Sequence, residues 1–338
     1  MHDSQQSPAT RPASPPLPAA AATAGHERIL AIKLSAFGDF VLSLPAFQAI
    51  RRRHDKARIT LLTTAPFEGL ARLCGLFDEI WLDQRAPWWR PDRWLALSRR
   101  LKEARFERVY DLQRSDRSAL YFRLLGSKKP EWVGTIAGCS HRYVKPADRV
   151  LHIAEREAAQ LKQAGVDVAA VPDLSFLDGA ISGFNLAPRF ALLVPGGAAH
   201  RPEKRWPAVR YAALARELIA HGTMPVLIGA SAETDALAKI AAAAPRARNL
   251  CGKTDLGQIA ALARKALVAI GNDTGPMHLI AAAGCPSLVL FSKASDPRKI
   301  APRGPAVKTQ QAGDLEALSI EAVWMEIQPW LQAGPRGG

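Results

Sequence analysis

Short runs of apolar residues alternate along the chain with longer segments in which apolar positions recur every three or four residues. The run RILAIKL (28–34) is followed by FGDFVLSLPAFQAIRRRH (37–54), which has the spacing of a helix. Short apolar runs separated by helical segments are typical of a parallel sheet that is covered on both faces. The pattern therefore predicts an α/β fold.

The alternation occurs in two halves of similar size. In the first half it predicts strands at 28–34, 58–64, 79–84 and 108–113, with helices at 37–54, 91–104 and 117–126. In the second half it predicts strands at 189–196, 224–230, 267–273 and 287–292, with helices at 207–222, 233–245, 256–266 and 275–284. Two doubly wound domains in tandem account for this order.

Three segments depart from the alternation. Residues 1–26 are rich in Pro, Ala and Ser, so they bury too little apolar surface to offset their ordering entropy, and we expect a disordered tail. Irregular spacing at 172–188 predicts a linker between domains at 27–180 and 181–318. Residues 319–338 are expected to form a helix that packs back across the first half, followed by a short tail.

The composition is that of a soluble globular protein, with 48% hydrophobic residues and a mean hydropathy of −0.06. The four cysteines show no C-x-x-C pairing, which predicts reduced, mostly buried thiols and a cytoplasmic location. Lys and Arg number 45 against 31 Asp and Glu, giving a formal charge of +14. This excess favours an anionic partner, which could be nucleic acid, a membrane surface or a phosphorylated substrate.

Parallel sheets bind ligands beyond the carboxyl ends of their strands, so binding and catalytic residues are expected in the loops at these ends. In AIGNDTGPMHLIAAAG (269–284), Asp273, Thr274 and Gly275 lie between a strand and a helix that contains His278. The helix N-terminus would hold a phosphate or diphosphate. The same residues would equally serve an ordinary capped helix.

Two more loops of the second half carry charge. VPGGAAHRPEKRWP (194–207) supplies His200 and Lys204 after a glycine pair, either for a leaving diphosphate or as a solvated basic loop. Glu233 begins a helix, where an acid suits the helix dipole and where the ribose-binding acid of a nucleotide fold would also lie.

The stretch SAFGDFV (35–41) places Ser35, Gly38 and Asp39 after the first strand. Asp39 either suits the dipole of the following helix or presents an acid at the mouth of a cleft. The chain has no G-x-G-x-x-G, P-loop, H-E-x-x-H or G-x-S-x-G motif, which removes support for oxidoreductase, NTPase, zinc protease and α/β-hydrolase functions.

Tryptophans and arginines interleave at 81–108, which includes WLDQRAPWWRPDRWLALSRR. This pattern suits a membrane interface, a phosphorylated glycolipid or single-stranded nucleic acid. The alternative is a helix whose tryptophans are in the core and whose arginines are solvated.

Three stretches together resemble glycosyltransferase family 9, the ADP-heptose:lipopolysaccharide heptosyltransferases, in the same order and spacing. They are ILAIKLSAFGDFVLSLPAFQAIRR, PEKRWP and NDTGPMHLIAAAGCPSLVLF, and the resemblance spans residues 28–332. It implies a GT-B fold, in which two Rossmann-like domains face each other across a cleft. It also implies inverting transfer of heptose from ADP-heptose to a lipopolysaccharide core or lipid A-type acceptor.

The resemblance also assigns roles by position. Asp39 matches the general base, Lys204 the lysine near the donor phosphates and sugar, and Glu233 the acid that binds ribose. The remaining substrate-binding positions are Ser35, Gly38, His200, Thr254, Asp273, Thr274, Gly275 and His278. Relatives carry adjacent hydroxyl residues before the lysine, whereas this chain has Ala199-His200, so phosphate contact there would use backbone N–H groups and His200.

The expected reaction is a single in-line displacement that needs neither metal nor cofactor. The expected partners are a nucleotide-sugar donor, an anionic glycolipid acceptor and the inner membrane surface, with no nucleic acid. Three alternatives stay open: transfer from another nucleotide sugar, a non-catalytic nucleotide-sugar binder on the same fold, and a nucleic-acid binder.

Overall fold

The computed structural model describes residues 26–197 and 201–333. In the first unit the elements alternate as the sequence predicts. They are β1 (Arg28–Ile32), α1 (Phe37–Arg53), β2 (Arg58–Thr63), α2 (Ala65–Leu73), β3 (Glu79–Leu82), α3 (Pro91–Glu103), β4 (Arg108–Asp111), α4 (Asp116–Leu124), β5 (Glu131–Gly134), β6 (His141–Arg142) and α5 (Ile153–Lys162).

The second unit continues the alternation. Its elements are β7 (Phe190–Val194), α6 (Ala208–Ala220), β8 (Met224–Leu227), α7 (Thr234–Ala243), β9 (Arg248–Asn249), α8 (Leu256–Lys265), β10 (Ala269–Asn272), α9 (Gly275–Ala282), β11 (Ser287–Phe291), α10 (Pro297–Ile300), β12 (Val307–Gln311) and α11 (Ile320–Gln332).

Each unit is built on a parallel six-stranded sheet. The strand orders are β3-β2-β1-β4-β5-β6 and β12-β11-β10-β7-β8-β9, and both follow the doubly wound arrangement 3-2-1-4-5-6. The predicted α/β fold with two Rossmann-like units is confirmed. In each sheet the order reverses between the first and fourth strands, which is where ligands bind. These positions are the β1/β4 and β7/β10 crevices.

Helix α1 is apolar on nearly all sides because it lies inside the molecule. Phe40, Leu44 and Phe47 are buried, and the helix contacts α5 of its own unit and α9 of the other. One apolar cluster includes these residues together with Met277 and Leu279 of α9. The two units therefore share a continuous core where α1 meets α9.

The irregular segment predicted as a linker is fixed to the second unit. Arg264 of α8 donates to the carbonyl oxygens of Leu177 and Leu174, each at 2.7 Å. At the start of α8, a Cβ atom added to Gly257 would lie 2.2 Å from the carbonyl oxygen of Asp178. Only glycine allows the segment to cross the helix this closely.

The C-terminal helix packs on a different unit from the one expected. The buried residues Val323, Ile327 and Leu331 of α11 lie in an apolar cluster with Trp206 and other residues of the second unit, and α11 contacts α6. The expectation that it crosses back over the first half was therefore wrong. The apolar stripe of α11 is buried against α6 and neighbouring apolar residues of the second unit.

Several elements were not predicted, although α2 and α5 are clearly amphipathic helices. They are α2, β5, β6, α5, β9, α10 and β12. Among residues 26–197 and 201–333, no helix has the length and apolar character needed to cross a membrane.

Replacing Gly257 by Ala should destabilise the protein by about 1–3 kcal/mol, because the new methyl group would push the linker backbone off α8. The matched control is Gly69→Ala in α2, where an added Cβ meets nothing within 4 Å. That change should stabilise by about 0.5–1 kcal/mol through helix propensity alone. Urea unfolding of both variants measures the difference, and equal effects of the two would contradict the clamp.

Candidate active site

The turn after β1 is held by a glutamine from the neighbouring strand's loop. The Gln113 side-chain oxygen accepts from the N–H groups of Leu34 at 2.7 Å and Ser35 at 3.2 Å, and its amide donates to the Ser35 hydroxyl at 3.3 Å. Gln113 follows β4, so the bonds cross the β1/β4 crevice. Ser35, one of the predicted substrate residues, therefore has a fixed position in this crevice.

Asp39 lies in the first turn of α1 and is half-buried. Its Oδ2 atom accepts from the backbone N–H of Ala36 at 3.3 Å, which closes the start of the helix. Within the described ranges, its Oδ1 atom has no hydrogen-bond partner. Asp39 thus caps its helix and keeps one oxygen with which to accept a proton.

A buried ion pair supports this turn from below. Lys33 and Glu157 are each 1% exposed, and the Lys33 Nζ atom lies 3.0 Å from Glu157 Oε1. The Ser43 hydroxyl is 2.9 Å from the same oxygen and 2.8 Å from the carbonyl oxygen of Asp39, to which it donates in the helical i−4 manner. The first turn of α1 is thereby connected to α5 through Ser43 and Glu157.

The two units touch at the start of α1. A Cβ atom added to Gly38 would lie 2.6 Å from the ring of His278, and one added to Gly275 would lie 2.8 Å from the ring of Phe37. Each glycine therefore lies directly against an aromatic ring of the other unit. These contacts bring the turn that contains Asp39 next to the N-terminal half of α9. The prediction that both units contribute to one cleft requires such an approach.

His278 is buried, and its Nδ1 atom has no hydrogen-bond partner among the described residues. Burial lowers the pKa of His278 to about 4, with nearby His152 acting in the same direction and Asp273 opposing the shift. The imidazole in contact with Gly38 is therefore neutral near pH 7. Its ring is thus a buried, uncharged contact between the two units.

Lys204 and Asp273 form a partly buried ion pair at the mouth of the second unit, with 2.8 Å between Nζ and Oδ2. Lys204 ends a short 3₁₀ turn at Pro202–Lys204, and Asp273 follows β10. A lysine ammonium has three donors, and Asp273 is the one partner of the Lys204 ammonium within residues 26–197 and 201–333. The predicted basic loop and the predicted helix-terminus loop are thus joined side chain to side chain.

Asn272 fixes both of these loops, although no local sequence pattern singles it out. Its amide nitrogen donates to the carbonyl oxygens of Pro195 at 2.8 Å and Gly196 at 3.1 Å. Its oxygen accepts from the backbone N–H of Trp206 at 3.0 Å and from the Tyr211 hydroxyl at 3.1 Å. Asn272 is fully buried and satisfied, so the loops after β7 and β10 keep one relative position.

At the N-terminus of α9, Thr274 is the N-cap residue and makes no side-chain cap bond. Pro276 has no backbone N–H, and the Met277 N–H donates to the Thr274 carbonyl at 3.1 Å. What α9 offers an anionic ligand is therefore chiefly the positive end of its dipole, beside a Lys204 ammonium that is paired with Asp273.

Glu233 and Thr254 lie on neighbouring loops of the second unit. The Glu233 carboxylate accepts from the Ala230 N–H at 2.6 Å, and its other oxygen would be 2.7 Å from a Cβ atom on Gly196. The loop that contains Thr254 is joined to this region because the Gly252 N–H donates to the Gly229 carbonyl at 2.8 Å. Thr254 is half-buried beside the helix-capping residue Asp255.

The structure therefore brings most predicted site residues to one interface between the units. Gly38, Asp39, Gly275 and His278 meet at the α1/α9 contact, and Lys204, Asp273 and Thr274 lie beside them, with Glu233 connected through Gly196. His200 lies outside the described residues, so its predicted role is not addressed by the structure.

Sequence reasoning missed Lys33, Ser43, Gln113, Glu157 and Asn272. The one available signal was Lys33, a lysine at the end of a buried strand, which requires a buried anionic partner. Its partner Glu157 is 124 positions away, so no local pattern could identify it. Among the described residues, no three His, Cys, Asp or Glu side chains are grouped so that they could hold a metal ion.

Comparisons with known proteins agree with this geometry. Residues 94–319 match the model of glycosyltransferase family 9 (heptosyltransferase). Lipopolysaccharide heptosyltransferase 2 of Escherichia coli K12 is 28% identical over 290 residues, which are 79% of this chain and 83% of that protein.

Two solved E. coli structures share the fold. The ADP-heptose lps heptosyltransferase II superposes with a TM-score of 0.70 at 24% identity, covering 90% of this chain and 99% of that one. Heptosyltransferase WaaC with ADP superposes with a TM-score of 0.69 at 20% identity, covering 90% and 99%. The expected GT-B architecture is confirmed.

The family match covers more than half of the chain and includes the second-unit loops that contain Lys204, Glu233 and Asp273. This chain is a glycosyltransferase and belongs to family 9, the heptosyltransferases.

Proposed function

We propose that the enzyme transfers heptose from ADP-heptose to a hydroxyl of a lipopolysaccharide core or lipid A-type acceptor, with inversion at the anomeric carbon. The observation that carries this proposal is the contact of Gly38 with His278. Asp39 is the next residue after Gly38, so this contact supports a carboxylate close to the end of α9 at which the diphosphate is proposed to bind. A base and a leaving-group site are what a single displacement needs on opposite sides of one sugar.

Asp39 is the general base in this proposal. As the acceptor oxygen attacks the anomeric carbon, its proton moves to a carboxylate oxygen of Asp39, and the bond from the anomeric carbon to the diphosphate oxygen breaks. The half-buried position and the unpartnered Oδ1 atom support this role. Gln113 and Ser43 hold the turn and the helix from which the carboxylate projects, so little reorganisation accompanies proton transfer.

The second unit binds the donor. The departing ADP gathers negative charge, which the positive end of the α9 dipole and the Lys204 ammonium would stabilise. Glu233 would accept hydrogen bonds from the ribose hydroxyls, and the loop with Thr254 would contact adenine through its backbone. The WaaC structure with ADP supports an adenine nucleotide on this fold.

The acceptor is proposed to be an anionic glycolipid bound by the first unit. The name of the E. coli relative, a lipopolysaccharide heptosyltransferase, supports this class. The formal charge of +14 also favours an anionic partner. Such an acceptor lies in a lipid bilayer, so the enzyme would work in peripheral contact with the inner membrane surface.

The donor class is tested by ligand-dependent thermal unfolding with ADP, UDP, GDP and CMP at equal concentrations, followed by the corresponding sugar nucleotides. A ligand at about one hundred times its dissociation constant stabilises a protein by about 2.7 kcal/mol, so ADP and ADP-heptose should raise the melting temperature clearly more than the others. A larger shift with UDP would redirect the proposal to a different sugar nucleotide.

Replacing Asp39 by Asn should lower kcat for heptose transfer by about 10²–10⁴-fold, because the amide cannot accept the proton. The amide oxygen still accepts from Ala36 N–H, so the melting temperature should change little. The matched control is Asp55→Asn in the exposed turn that follows α1, which should keep full activity. Near-normal turnover by a folded Asp39→Asn protein would rule out the base assignment.

Replacing Lys204 by Ala should lower kcat/KM for the donor by about 10- to 100-fold, as expected for the loss of a charge-assisted contact to phosphate. Lys239→Ala, which removes an exposed lysine from α7, is the control. Initial rates at varied donor and saturating acceptor measure the effect. If both variants had the donor kinetics of the wild type, Lys204 would have no place in the donor site.

A further inference from the structure

Two tryptophans on the loop between β3 and α3 are exposed to solvent. Trp88 is 84% exposed and Trp89 is 63% exposed, and their rings contact each other edge to face at 5.7 Å. The sequence left two interpretations of this segment, core tryptophans or a binding surface. Trp81 is buried and Trp94 is half-buried, as the first interpretation requires, but Trp88 and Trp89 are not.

The loop is firmly held although its tip is exposed. The Arg117 guanidinium donates to the Ala86 carbonyl at 3.2 Å, and the Trp94 indole N–H donates to the Pro87 carbonyl at 3.0 Å. Arg117 itself is fixed by the buried carboxylate of Asp83. The two tryptophans are therefore presented on an ordered support, which lowers the entropy cost of binding through them.

The exposed side of α3 extends this surface. Leu95 is 69% exposed, and Arg99 and Lys102 lie four and seven positions later on the same face. Within the described residues, Arg99 and Lys102 form no ion pair. From residue 85 to residue 105 the chain has seven Lys and Arg against two acids, so this apolar surface carries a positive field.

The loop also contacts the turn that precedes Asp39. The Arg85 guanidinium donates to the carbonyl oxygen of Leu34 at 3.0 Å. Leu34 is the residue whose N–H is held by Gln113. Whatever binds the exposed tryptophans is therefore brought to the edge of the sheet at which the acceptor is proposed to bind.

We infer that Trp88, Trp89, Leu95, Arg99 and Lys102, here called the tryptophan surface, dock the enzyme on an anionic lipid bilayer. Tryptophan side chains favour the headgroup level of a membrane, and Leu95 would be buried among acyl chains. The two cations would face lipid phosphates. Nucleic acid fits less well because an aliphatic side chain such as Leu95 offers no ring on which a base could stack.

The inference deepens the proposed function by naming the surface that reaches a membrane-bound acceptor, but vesicle binding does not require transfer. The experiment is co-sedimentation of the full chain with neutral phosphatidylcholine vesicles and with vesicles that contain about one third phosphatidylglycerol. We expect binding to the anionic vesicles only. Binding should weaken at high salt because it depends in part on charge.

Two double variants separate the apolar from the charged contribution. Trp88→Ser with Trp89→Ser should reduce binding to anionic vesicles by about tenfold or more. Arg99→Gln with Lys102→Gln should reduce it by about twenty-five-fold, at about fivefold for each charge near the surface. The matched control is Val209→Ser with Met325→Ser, which removes two exposed apolar side chains from the second unit and should leave binding unchanged.

Thermal unfolding of each variant confirms that it is folded. Equal sedimentation of the tryptophan variant and the wild type, or tight binding of the wild type to a single-stranded oligonucleotide with none to vesicles, would overturn the inference. Transfer to a detergent-dispersed acceptor should be unaffected in the tryptophan variant. A wild type that binds vesicles but transfers no heptose would contradict the proposed function and leave the docking surface standing.

Discussion

The contact between Gly38 and His278 is the constraint on which the site depends. A side chain at position 38 would overlap the imidazole ring, so α1 and α9 can approach this closely only with glycine there. The reciprocal contact of Gly275 with Phe37 has the same basis. Together they fix how closely the first turn of α1 approaches α9, and with it the relative position of the loops that contain Asp39 and Asp273.

Buried polar side chains keep the loops on each side of this contact in place. Asn272 connects the loops after β7 and β10, and Glu157 connects α1, β1 and α5 through Ser43 and Lys33. Removing one member of such a network leaves a buried donor or acceptor without a partner, which costs more than the bond itself contributes. Both networks lie directly behind residues that face the cleft, so their rigidity is passed to the site.

The sequence predicted the strands and helices that have strong apolar periodicity, including α1 and the strands that flank the crevices. It missed β6, β9 and β12 because they are very short or lie at a sheet edge with polar residues, and such segments carry no alternation to detect. Asp39, Lys204 and Asp273 were predicted as site residues because each lies at or near a strand-to-helix connection with a local pattern, and their roles stay predictions. Glu157 and Gln113 could not, since their partners are 124 and 79 positions away, and α11 has an apolar stripe that does not specify which surface it covers.

The two sheets have the same strand order, but the helices that meet between the units come from different positions in that order. The facing helices are not equivalent: α1 follows the first strand of its sheet, whereas α9 follows the fourth strand of the other. The molecule therefore lacks the twofold relation that two copies of one topology could have adopted. In the proposed reaction the α1 side supplies the Asp39 carboxylate and the α9 side supplies Lys204 and the helix dipole, so a substrate that spans both would have a single orientation. Chain topology would then distinguish the incoming group from the departing one.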